Sequence, residues 1–185
     1  MTQLLGLLST LSLVTAFSLA LGAPTLAEPQ AAPTDAQIIG IVLTANDIDI
    51  SYGASALRVT RNKGVREFAN QMVSEHSTVQ QAVRKLAGKL KIAKADSDTA
   101  AGLRANARTV SAKLRSLKGA AFDRFYIDNE VAYHELVVGA LAKILIPSVK
   151  DPQLKAALEG ALPLFEGHLA HAKQVQASFA STGHM

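Results

Sequence analysis

Cysteine and tryptophan are absent from this chain, and aromatic residues make up only 5% of it. Without thiols there is no structural disulfide, no cysteine nucleophile, no covalently attached haem and no cysteine-ligated iron–sulfur cluster. A Ser-His-Asp signature, a glycine-rich phosphate loop and an HExxH motif are missing too, so the common hydrolase, nucleotide and zinc-protease patterns have no residues to rest on. The six prolines lie mostly near the N-terminus or between helical stretches. What remains is alanine- and leucine-rich, 49% hydrophobic and 18% charged, a composition that favours helices over strands.

The 185 residues begin with an apolar stretch, Leu4 to Ala23, followed by Pro24-Thr25-Leu26-Ala27-Glu28. Small residues before Glu28 predict a secretory signal over 1–27 with cleavage after Ala27, although no Lys or Arg precedes the apolar run. A stretch of this length could also span a bilayer as an uncleaved anchor. Export to the periplasm, with outer-membrane association as a further option, is the expected location. The remainder, about 158 residues, suits one domain held by its core alone. Net charge is +4, and ten of the 19 basic residues fall between Arg84 and Lys118, against only Asp96 and Asp98. That stretch reads either as a solvated face or as a surface for an anionic envelope component. Nucleic acid is not expected as a partner, because no aromatics interleave the charges.

Residues 28–35 form a Pro/Ala linker ending in the N-cap signal Thr34-Asp35. A single domain is then predicted over 36–180, with a disordered tail at 181–185. The first helix runs to about Arg61, with Ile38, Val42, Ala45, Asp49, Tyr52 and Ala56 on one face, and Asn62-Lys63-Gly64 makes a turn. The second runs from Val65 to Ile92, with Val65, Phe68, Ala69, Met72, His76, Val79, Val83, Leu86 and Leu90 as its apolar stripe. A shorter helix through Leu103, Val110 and Leu114 is stopped by Gly119. The next spans Ala120 to Ile146 and ends at Pro147. The last begins at Asp151-Pro152, runs to Ala180 and should kink at Pro163. These spans predict an all-α, antiparallel four-helix bundle with an extra short helix in the middle crossover.

Ionisable residues on inward faces are the informative ones. Asp49 lies in the apolar stripe of the first helix and His76 in that of the second. Asp49 is 13 residues before Asn62 and His76 is 14 after it, so the two stand at one height in the hairpin. Asp123, Glu130 and His134 line one side of the next long helix, and Glu130 and His134 bracket the height of His168 on the last. Each long helix thus offers a carboxylate or imidazole to a common layer. Such a layer ligates a divalent transition metal, with iron, copper or zinc fitting the donors, or else forms a metal-free Asp/His/Glu hydrogen-bond network. The expected ligands are Asp49, His76, Glu130, His134 and His168. Asp123 and Tyr126 are expected to orient the imidazoles, and His171 to stand behind them or at the surface. Glu75, at the stripe edge, reads as an exposed helix acid.

The run Val65-Arg66-Glu67-Phe68-Ala69-Asn70-Gln71-Met72-Val73-Ser74-Glu75-His76 resembles the "VxxFAxxMvxDH" signature of the domain-of-unknown-function 4142 family. Gly119-Ala120-Ala121-Phe122-Asp123-Arg124-Phe125-Tyr126-Ile127 with His134 is similar to its "GaaFDraYixxxvxxH" block, and Leu162-Pro163 with His168-Leu169 to its closing "LPxxxxHL". The resemblance implies an exported, ferritin-like helical bundle in which Asp49, His76, Asp123, His134 and His168 fill the characteristic polar positions. It supplies no activity. Ferritin-like oxidases carry Glu-x-x-His on two helices, and this chain has none, so a di-iron oxidase is not expected.

Overall fold

The computed structural model describes residues 31–181. The N-terminal apolar stretch, its cleavage site and most of the linker lie outside the described residues, as do positions 182–185 of the tail. Five helices account for nearly all of what is described, and no strand occurs among those residues.

Helix α1 (Asp35–Val59) opens with a capping box: the Thr34 side chain accepts from the Gln37 amide, while Gln37 accepts from the Thr34 amide. Asp35 begins the helix rather than closing the linker. Its two carboxylate oxygens accept the backbone N–H groups of Lys150 and Asp151, each at 2.8 Å, which ties the start of α1 to the loop before the last helix. Helix α2 (Lys63–Leu90) starts earlier than its apolar stripe, because Asn62 caps it by accepting from the Val65 amide. It ends where Lys91 takes the left-handed conformation, φ 57°.

The segment after α2 folds back on α1, with the Ala95 amide donating to the Ala36 carbonyl at 2.8 Å. Gly40 faces the Ala95 carbonyl so closely that any side chain there would collide with backbone. Helix α3 (Asp98–Ser116) is capped by Ser97 and lies mainly against α1. The chain then turns at Gly119, whose φ of +56° suits glycine, into α4 (Gly119–Ala140).

Sequence patterning stops α4 at Pro147, yet the helix continues through a π-helical turn, Leu141–Leu145, and a last turn, Ile146–Ser148. Proline lacks an N–H and crowds the carbonyl four residues back. The wider turn absorbs that conflict, with the Ile146 amide bonding to the Leu141 carbonyl one residue further back than in an α-helix. Helix α5 (Pro152–Ser181) runs on through Pro163. Helix α1 packs chiefly on α2, and α4 on α5, with further contacts between α2 and α5 and between α1 and α4.

Two apolar clusters fill the interior. One takes Ile48, Tyr52 and Ala56 from α1, Val65 to Met72 from α2, Phe122 to Tyr133 from α4, and Ala172 and Val175 from α5. The other takes Ile38 to Leu43 from α1, Val83 from α2, Leu141 and Leu145, and Leu154 to Phe165 from α5. On every one of these four helices a buried polar residue falls between the two sets: Asn46, His76, His134 and His168, with Asp49 and Glu130 within one turn of it. The polar layer is therefore a seam between two dry half-cores.

Candidate metal centre

Asp49, His76, Glu130, His134 and His168 are all buried, none more than 3% exposed. The three imidazoles form a triangle, with ring centroids 5.0 Å apart for His76 and His168, 5.4 Å for His134 and His168, and 5.6 Å for His76 and His134. One nitrogen from each lies within 4.8 Å of the others, and ligand atoms of Asp49, Glu130 and His134 form a second group of the same tightness, joined to the first through His134. Asp49 Oδ2 is 3.2 Å from His76 Nε2 and 3.6 Å from His134 Nε2. Two atoms each about 2.0–2.1 Å from one ion stand about 3.3 Å apart in tetrahedral coordination, so these separations suit shared ligation.

Each ring has one nitrogen committed to a group that fixes its proton. The amide of Asn46 is oriented by donating to the Val42 carbonyl at 2.7 Å, which turns its Oδ1 toward His76 Nδ1 at 2.9 Å. That oxygen only accepts, so His76 carries its proton on Nδ1 and keeps the Nε2 lone pair free. His134 Nδ1 donates to the Glu130 carbonyl at 3.0 Å, again freeing Nε2. His168 Nε2 donates to Glu75 Oε2 at 2.5 Å, leaving Nδ1. His76 Nε2, His134 Nε2 and His168 Nδ1 are buried without a hydrogen-bond partner, and the buried carboxyls of Asp49 and Glu130 have none but each other. No N–H donor stands among these atoms, and the one hydrogen bond within the set, between the Asp49 and Glu130 carboxyls, leaves the imidazole nitrogens orphaned.

Burial dominates the acid–base behaviour of the set. It drives the His76 pKa down to about 3, with the neighbouring His168 adding to the shift. It also lowers His134, a change that the Asp49 charge partly offsets. The carboxyls move the other way: desolvation raises Asp49, and it lifts Glu130 well above the usual range, helped by the Asp49 charge. Burial therefore favours neutral imidazoles at His76 and His134 and the protonated acid at Glu130. A divalent cation held by these residues would take the place of that proton and would satisfy carboxylates and imidazoles together.

The groups that hold the rings differ from those the sequence suggests. Asp123 and Tyr126 are buried, but neither bonds to an imidazole, and Asp123 Oδ1 and the Tyr126 hydroxyl stand unpartnered. They lie on the same side of α4 as Glu130, one and two turns away, with Tyr126 packed on Phe68 and Phe122. The orienting work falls to Asn46, to the Glu130 carbonyl and to Glu75. Glu75 is not a free surface acid, since its tip reaches His168. Asn46 left a signal in the sequence, an amide three residues before Asp49 beside the apolar stripe, but nothing in its type distinguishes it from a solvated asparagine. His171 is half-buried one turn beyond His168, donates to Gln71 Oε1 at 2.7 Å and sets its ring edge-on to Phe68.

Comparison with known proteins bears on the fold and the family. No curated protein matches this chain. Among solved structures, a protein described as "CopM in the Cu(II)-bound form" is similar, with a TM-score of 0.61 over 80% of this chain and 99% of that one, at 11% sequence identity. At that identity the likeness is one of helical fold. The family described as "Domain of unknown function (DUF4142)" matches residues 20–175. This chain belongs to that family.

Proposed function

We propose that this chain is an exported, ferritin-like antiparallel four-helix bundle that holds one divalent transition-metal ion at the seam of its core. Asp49, His76, Glu130, His134 and His168 are its ligands, and its role is metal handling or protection of the cell envelope rather than turnover. The observation that carries this reading is the matched tautomers: three buried histidines each spend one nitrogen on a fixed acceptor and leave the other free, within one tight cluster that also holds the Asp49 and Glu130 carboxyls. A hydrogen-bond network built for its own sake would also pair the three free imidazole nitrogens, whereas here Asp49 and Glu130 bond only to each other. Three imidazole nitrogens with carboxylate oxygens suit copper, zinc or iron, and divalent affinities peak at copper. Copper is also the ion named for the similar solved structure, so it is the first to try.

The test is equilibrium titration of the metal-stripped, purified protein with copper(II) and zinc(II), read by calorimetry and elemental analysis. About one ion per chain is expected, with His76→Ala removing the binding. If neither ion binds, or if binding survives His76→Ala unchanged, the reading fails.

A second reading rests on a separate place. Between α1 and α3 runs an open groove lined by Ile48, Arg104, Ala107, Arg108, Ser111 and Arg115. Arg104 is committed to Asp96 through two hydrogen bonds of 2.7 and 2.9 Å, whereas Arg108 and Arg115 stand exposed at the groove. This is where an anionic envelope component would meet the basic 84–118 region. Under this reading Arg108→Glu with Arg115→Glu lowers retention on vesicles containing anionic lipid by about tenfold at low salt and leaves the melting temperature unchanged. Equal retention would exclude the groove.

A further inference from the structure

All five proposed ligands are sealed from water, which raises the question of how an ion reaches them. Asp49 and Glu130 are at most 1% exposed and His134 and His168 are fully covered. Among the described residues, one carboxylate both touches this cluster and meets solvent. The Glu75 side chain is 36% exposed while its Oε2 lies 2.5 Å from the fully buried His168. Around it, Gln71 donates to the same Glu75 oxygen at 3.4 Å and accepts from His171 at 2.7 Å. Gln71 and Glu75 stand one turn apart on α2, and His168 and His171 one turn apart on α5. The seam between these helices is therefore a continuous polar line from the surface to the centre, with an apolar cluster on either side of it.

A hydrated dication loses much of its solvation on entering such an interior, so it crosses where anionic and imidazole groups replace its water stepwise. Resting on the metal-centre reading above, we propose that the Glu75–His168 pair is the port of that centre. Glu75 captures a divalent cation from water, its hydrogen bond to His168 opens to let the ion pass between α2 and α5, and the bond then closes behind it. Closure has its own consequence, because Glu75 again holds His168 Nε2–H and keeps Nδ1 aimed inward. The two duties separate chemically. Capture needs the negative charge, while aiming needs only an acceptor.

Stopped-flow loading of the metal-stripped full chain with cobalt(II), followed by its visible absorption, distinguishes them. Glu75→Gln keeps an acceptor and removes the charge. It is expected to lower the association rate by about tenfold at low salt, to flatten the salt dependence of that rate and to leave the dissociation rate close to wild type. Glu75→Asp, which keeps the charge, retains most of the association rate, and Glu75→Ala loses association rate and also dissociates faster. An association rate for Glu75→Gln equal to wild type, or a loss confined to dissociation, overturns the port and leaves Glu75 as a positioning residue only. Equilibrium stoichiometry reads the centre separately: one cobalt per chain with an unchanged Glu75→Gln association rate sinks the port alone, and no uptake by wild type sinks both.

Discussion

Saturating metal is expected to raise the melting temperature of the wild-type protein by about 5–10 °C, and His134→Ala is expected to erase that rise. The size follows from linkage: an ion present at about a hundred times its dissociation constant contributes about 2.7 kcal/mol, and each kcal/mol moves a domain of this size by about 2–4 °C. His134 is chosen because it is the residue shared by the two candidate ligand groups. Its removal also leaves a cavity, so the metal-free variant melts lower than wild type. The measure that counts is each protein's own metal-induced shift. Asn46→Ala provides the matching control. It touches no proposed ligand atom of the ion directly, but it frees His76 to rotate or change tautomer, and loss of such a supporting bond weakens a metal site by about 10–100-fold. Scanning calorimetry with and without metal checks both. If His134→Ala keeps the full shift, or if Asn46→Ala behaves as wild type, the proposed ligand geometry is wrong.

Glu130→Gln should act in opposite directions on the two forms of the protein. In the metal-free state Glu130 is buried beside Asp49, and its pKa lies well above that of an unfolded glutamate. A carboxyl whose folded pKa is raised favours the fold fully only below the unfolded value, about 4.3, and loses that contribution as pH rises toward the folded value. Glutamine mimics the neutral acid and carries no such penalty. The metal-free variant is therefore expected to be more stable than metal-free wild type by about 1–3 kcal/mol at pH 7–8, with the difference vanishing below about pH 4. His76 produces the reverse trend, because its pKa of about 3 means that the unfolded chain takes up a proton first as pH falls below about 6.5. That loss is common to both proteins and cancels in the comparison. With metal present the order inverts, since the variant lacks an anionic ligand. Chemical denaturation from pH 4 to pH 8, with chelator and with metal, reads all of this. A variant less stable than wild type at pH 8 in chelator would refute the raised Glu130 pKa and the penalty assigned to it.

The level of the polar layer was legible because an α-helix advances by a fixed rise. Counting from Asn62 placed Asp49 and His76 at one height, and their side chains meet at 3.2 Å. The same arithmetic put Glu130 and His134 near His168. It worked because ionisable residues in an apolar stripe stand out in composition, and a helix leaves few directions for them to point. The supporting shell was not legible. Asn46 acts through the rotamer of an amide fixed by its own i−4 carbonyl, and Glu75 through the approach of α2 to α5, two helices that no short loop connects. Asp123 and Tyr126 sit on the expected side of α4 but one or two turns from the rings, a distance that periodicity cannot distinguish from contact. The extension of α4 past Pro147 was hidden for a related reason, since a π turn has no composition signal of its own.

Anomalous diffraction from crystals of the protein loaded with copper or zinc tests the buried metal centre most directly. One strong peak per chain is expected between α1, α2, α4 and α5, within coordination distance of the Nε2 atoms of His76 and His134, of His168 Nδ1 and of the Asp49 and Glu130 carboxylates. A loaded crystal whose peaks lie only on exposed side chains, with none between the buried histidines and carboxylates, would contradict it.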